Sequence, residues 1–87
     1  MSTIRVTMDD AEGALVRLLG LVERRGWRFE AVDFGGPLDG ERKLTLSIAP
    51  RDAGRNAETL KRQLERLVDV RTAELEAANT EAMENAR

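Results

Sequence analysis

Three carboxylates, Asp9, Asp10 and Glu12, lie within four residues of one another and directly precede Gly13. Carboxylates at such spacing can act as a general acid and base, cap a helix by accepting hydrogen bonds from its free amides, or meet a ligand's ammonium group. The chemistry open to them is narrow, because the chain contains no histidine and no cysteine. That removes the common neutral-pH proton shuttle, the thiolate nucleophile and the usual soft metal ligands, so neither a metal nor another cofactor is expected. Clustered acids at a helix start serve more often as caps and dipole partners than as catalysts. Gly13 adds a different possibility. A residue without a Cβ lets a ligand or a neighbouring backbone approach a helix N-terminus, although simple helix entry is the commoner reason for a single glycine there.

The elements around this cluster are legible from periodicity. Ile4, Val6 and Met8 alternate with Thr3, Arg5 and Thr7, the pattern of a strand with one apolar face. Ala11, Ala14, Leu15, Leu18, Leu19 and Val22 follow at helical spacing, with Asp9 or Asp10 as the expected cap, and Arg24-Arg25-Gly26 gives the stop signal. A second strand starts at Trp27; its apolar parity changes between Phe29 and Phe34, which predicts a bulge or an edge position. The turn-rich Gly35-Gly36-Pro37-Leu38-Asp39-Gly40 leads into a third strand carrying Leu44, Leu46 and Ile48 and ending at Pro50, so the second and third strands form a hairpin. Asn56 is placed to cap a second helix with Ala57, Leu60, Leu64, Leu67 and Val68 as its apolar stripe and Glu58/Arg62 as an ion pair. A short fourth strand is expected from Val68 to about Leu75.

Strand, helix, strand, strand, helix, strand is the ferredoxin-like βαββαβ order of an α+β domain: a four-stranded antiparallel sheet with both helices on one face. Residues 1–75 are expected to form it, with 76–87 as a flexible or partly helical tail whose apolar surface is too small to dock. An 87-residue chain buries only roughly 60–65% of its unfolded surface, so support from a partner is expected. A net charge of −2 provides no field for nucleic acid, and stacking aromatics are lacking. No segment approaches the ~18 apolar residues of a membrane span, and the start of the chain does not read as a secretion signal; a cytoplasmic protein is expected.

The stretch GALVRLLGLVERRGWRFEAV, from Gly13 to Val32, resembles the opening of the ACT domain in the small regulatory subunit of acetolactate synthase (acetohydroxyacid synthase). Gly13, Ala14, Leu15, Arg17, Gly20, Leu21, Arg25, Gly26 and Trp27 stand where that pattern wants them, and RQLERLVDV from Arg62 resembles its second helix and entry to the fourth strand. The resemblance is to the short form and spans nearly the whole fold. It implies a side-by-side homodimer that binds a branched-chain amino acid, usually valine, against the loop between first strand and first helix: Asp10, Ala11, Glu12, Gly13 and Ala14, with Arg28 nearby. It also implies a noncatalytic partner that activates a thiamine-diphosphate-dependent catalytic subunit. Two residues depart from the pattern, which has Asn where this chain has Asp10 and Arg28. Aspartate only accepts hydrogen bonds, repels a ligand carboxylate and favours an ammonium; Arg28 could pair with either carboxylate or stand exposed on its strand. A free-standing amino-acid-sensing dimer is the other function the same pattern allows.

Overall fold

A computed structural model describes residues 1–76. The elements are β1 (Ser2–Asp9), α1 (Ala14–Arg24), β2 (Trp27–Phe34), β3 (Glu41–Pro50), α2 (Ala57–Glu65) and β4 (Val70–Leu75). They form one antiparallel sheet in the order β2-β3-β1-β4, which leaves β2 and β4 as the edges. This is the expected ferredoxin-like βαββαβ arrangement. Apart from Glu76, whose amide donates to the Thr3 carbonyl at 2.8 Å, the expected tail lies outside the described residues.

The alternation in β1 and β3 sends Ile4, Val6, Met8, Leu44, Leu46 and Ile48 into a core closed by Ala14, Leu18, Leu21 and Val22 of α1 and Leu60 and Leu64 of α2. The opposite sheet face, with Arg5, Thr7, Thr45, Thr72 and Glu74, is polar and open. The parity change of β2 is a bulge at Glu30: Phe29 faces Ile48, Ala31 faces Ser47, and Val32 and Phe34 face Leu46 and Leu44. The extra residue therefore returns Val32 and Phe34 to the core-facing side. A second bulge at Arg71, between the pairs Thr7–Thr72 and Met8–Val70, does the same for Val70 and Ala73 of β4.

Several local expectations are corrected. Ala11 is exposed and precedes the helix, while Leu21, absent from the expected stripe, is buried. Neither Asp9 nor Asp10 caps α1; Gly13 occupies the cap position with φ 79°, and no side chain bonds there. Val68 belongs to neither the α2 stripe nor β4, since α2 ends at Glu65 and Val68 is 89% exposed in the connecting turn. Glu58 pairs with Lys61, not Arg62, and Lys61 also reaches Glu65 at 3.3 Å. Asn56 caps α2 as expected, its Oδ1 accepting from the Glu58 and Thr59 amides at 2.8 and 3.4 Å.

Candidate functional site

Three connections meet at one end of the sheet. The Asp9 amide donates to the Asp69 carbonyl in the α2–β4 turn at 2.7 Å, and the Asp10 amide donates to the Gly40 carbonyl at the close of the β2–β3 hairpin at 2.9 Å. The β1–α1 loop is thus tied by its backbone on both sides. It then turns tightly: the Ala14 amide donates to the Ala11 carbonyl at 3.1 Å, and the first helical bond runs from the Arg17 amide to the Gly13 carbonyl, also 3.1 Å. Gly13 makes that entry in the left-handed region, which L side chains rarely adopt. Among the described residues no side chain caps this helix start, which is the positive end of α1.

Arginines from three elements neutralise the carboxylates of this end. Arg17 of α1 reaches across to Asp69, Nη2 to Oδ2 at 2.6 Å and Nε to the same oxygen at 3.2 Å. Arg42 of β3 donates through Nη2 to Asp10 Oδ1 at 3.4 Å. Arg71, the bulged residue of β4, donates to Asp9 Oδ1 at 2.6 Å and to Glu41 Oε2. Its hydrogen bond to Asp9, then the nearby negative charges of Asp9 and Glu41, raise its pKa above the ordinary guanidinium value despite partial desolvation. Arg71 is a permanent cation. None of these arginines was assigned a role from sequence, because each lies distant along the chain from the carboxylate it holds. Arg17 is half exposed on α1, and its reach to Asp69 appears only when α1 and the α2–β4 turn are brought together.

Of the residues predicted for the site, Asp10, Ala11, Glu12, Gly13 and Ala14 form one continuous loop and helix start. Arg28 is elsewhere in the chain. It faces Ala49 of β3, whereas Met8 faces Arg42, so seven β3 residues separate the two levels. At about 3.3 Å per residue that is about 23 Å along the sheet. There, Arg28 pairs with Glu30 through two hydrogen bonds of 3.1 and 3.0 Å. Among the described residues no group of His, Cys, Asp or Glu has the arrangement to hold a metal, and no helix is long and apolar enough to cross a membrane.

One flank of the molecule is also distinctive. Arg17 points from α1 toward Asp69 and the β4 side; Leu15 and Leu19, each two residues away and hence about 200° around the helix, point toward the β2 edge. Leu15, Leu19, Phe29 and Val32 are each only partly buried there, and Phe34 and Val16 are 47% and 73% exposed. An unpaired edge strand bordered by an incompletely covered apolar stripe is a surface suited to a second sheet edge.

A family model described as the ACT domain matches residues 10–73. The chain is similar in fold to the ACT domain of GTP pyrophosphokinase from Chlorobium tepidum: TM-score 0.69 at 20% identity, covering 86% of this chain and 95% of that one. It is similar to the small subunit of acetolactate synthase from Thermotoga maritima (TM-score 0.71, 18% identity), covering 85% of this chain but 45% of that subunit. The regulatory subunit of aspartate kinase from Thermus thermophilus matches at TM-score 0.66 and 18% identity, over 86% of this chain and 49% of that one.

Proposed function

The chain belongs to the ACT-domain family of regulatory domains, and on that premise we propose that it is a cytoplasmic, noncatalytic subunit that binds and activates the thiamine-diphosphate-dependent catalytic subunit of acetolactate synthase. A branched-chain amino acid, valine foremost, is its feedback effector. The observation that carries this reading is the way the acetolactate-synthase-like motif falls on the fold. Its first glycine, Gly13, opens α1 at φ 79°, and Gly26 closes it at φ 88°. Arg17 ties the same helix to the α2–β4 turn, and Trp27 is 3% exposed in the core. The similarity to the Thermotoga maritima subunit supports the fold on which the motif acts.

The working unit in this reading is a two-fold dimer joined through β2 and the Leu15–Leu19 flank of α1. A two-fold axis through an antiparallel strand pair reverses the partner strand, so the far end of one β2 comes to the near end of the other. The 23 Å gap within one chain then becomes a neighbour relation across the dimer. The partner subunit's Arg28 borders the loop Asp10, Ala11, Glu12, Gly13 and Ala14, and the effector sits between them. An effector there controls the enzyme only to the extent that it prefers one state of the complex over another.

The test is acetolactate formation by the purified catalytic subunit as this protein is titrated in, with and without valine. Saturable activation that valine reverses is expected. Activation unaffected by valine or another branched-chain amino acid would keep the subunit and remove the effector. Absence of activation with the cognate catalytic chain would overturn the reading in favour of a free-standing amino-acid-binding dimer.

A further inference from the structure

Arg42 occupies an unusual place for a guanidinium. Leu44, Leu46 and Ile48 form the core-facing row of β3, and Arg42 is the next member of that row, opposite Met8, which is 1% exposed. It therefore points into the helix-side layer where the core ends and α1 begins, with its side chain 28% exposed. Charged side chains rarely occupy such rows without a partner that compensates them. Among the described residues its ion-pair partner is Asp10, through a single 3.4 Å contact. That contact is loose beside the 2.6 Å Arg17–Asp69 bond and beside the roughly 2.7–2.9 Å usual for charge-assisted pairs. A guanidinium offers five N–H donors, and this contact engages one of them.

Resting on the proposal that the β1–α1 loop binds an amino acid, we infer that Arg42 is the residue that reads the ligand's carboxylate, and that Asp10 beside it reads the ammonium. The two form a cation–anion pair complementary to a zwitterion. Alone, Asp10 would repel a ligand carboxylate. With Arg42 at its side the repulsion is offset, the planar guanidinium can take the carboxylate with two parallel bonds, and the Asp10 oxygens accept from the ammonium. Phe34 faces Leu44, the neighbour of Arg42 in the same row, and is 47% exposed. Its ring gives the ligand's side chain an apolar wall. The ligand class is thus an α-amino acid with both charged groups free and an apolar side chain.

Calorimetry on the full chain with valine, leucine and isoleucine first identifies the tightest ligand; its C-terminal amide and its N-acetyl derivative are then compared on wild type, Arg42→Gln, Arg42→Lys and Asp10→Asn. Wild type should bind the amide about tenfold more weakly than the parent, the size of a lost charge-assisted contact. Arg42→Gln should bind parent and amide alike, because the carboxylate no longer meets its reader. Asp10→Asn should bring parent and N-acetyl derivative together in the same way. An Arg42→Gln protein that weakens parent and amide by the same factor, or neither, overturns the inference and leaves the amino-acid site standing. If Arg42→Gln does not fold, Arg42→Lys decides: partial loss of the parent-to-amide discrimination supports the inference, and equal weakening of both ligands overturns it. A wild-type protein that binds none of the amino acids overturns the site reading itself, and the inference with it.

Discussion

Gly13 and Gly20 are both part of the motif at α1, yet their backbones ask opposite things of a substitution. Gly13 is held at φ 79°, where a Cβ is strained whatever the space; the nearest atom, Arg17 Nη1 at 2.8 Å, is the end of a flexible chain that can move. Gly13→Ala should therefore destabilise by about 1–2 kcal/mol. Gly20 lies inside the helix with right-handed backbone and meets only the Arg24 tip at 3.1 Å, so Gly20→Ala should stabilise by about 0.5–1 kcal/mol. Urea midpoints of the two variants, shifting in opposite directions, check both. Arg71 allows a test by pH. A cation whose folded-state pKa is raised contributes stability fully below its unfolded pKa and loses it as pH rises through the folded one. For this guanidinium that range lies in strongly alkaline solution. Arg71→Lys brings the titration down toward the lysine range near about 10.4. The urea midpoint of Arg71→Lys should fall relative to wild type on going from neutral pH to about that pH; parallel curves would mean that the Asp9–Arg71–Glu41 cluster adds nothing to stability.

At the scale of elements, regular segments were legible and interruptions were legible only as anomalies. β1 and β3 keep strict alternation, and each alternating apolar residue is buried. The second and fourth strands carry apolar residues on mixed parity, which for β2 points to a bulge or an edge position without singling out Glu30; β2 is an edge strand and also carries the bulge. In β4, Arg71 is inserted and becomes the bridge to Asp9 and Glu41; that role depends on strand pairing across 62 and 30 residues of sequence. The loop residues Asp10 to Ala14 were recognisable as a candidate site from their motif, whereas Arg42 was not, since alternation alone makes it just the residue before a hydrophobic row. The α1 entry departs from the expected Asp cap because tertiary ties to Asp69 and Gly40 outweigh the capping preference for Asp over Gly. At α2 no such ties compete. The Asn56 cap was legible, and Asn56→Ala should cost about 1 kcal/mol, measured as a lower thermal midpoint with unchanged helical circular dichroism in the native baseline.

For the molecule as a whole, a core built from two short helices and six to ten residues per strand leaves a domain close to the margin of independent stability. The partly covered flank of Leu15, Leu19, Phe29 and Val32, with Phe34 at its rim, is where additional burial would come from. If a second copy supplies it, folding and association are linked, and the thermal midpoint must rise with protein concentration because the dimer is favoured over unfolded monomers by mass action. Phe34→Glu places a charge in that rim while leaving the fully buried rows untouched. The variant should elute as a monomer at concentrations where wild type is a dimer, and its melting temperature should become independent of concentration. Should wild type itself melt at the same temperature over a hundredfold dilution and sediment as a monomer, the flank is not a self-interface. The partner subunit's Arg28 would then have no route to the Asp10–Ala14 loop, and effector recognition would rest within one chain on Asp10, Arg42 and the start of α1.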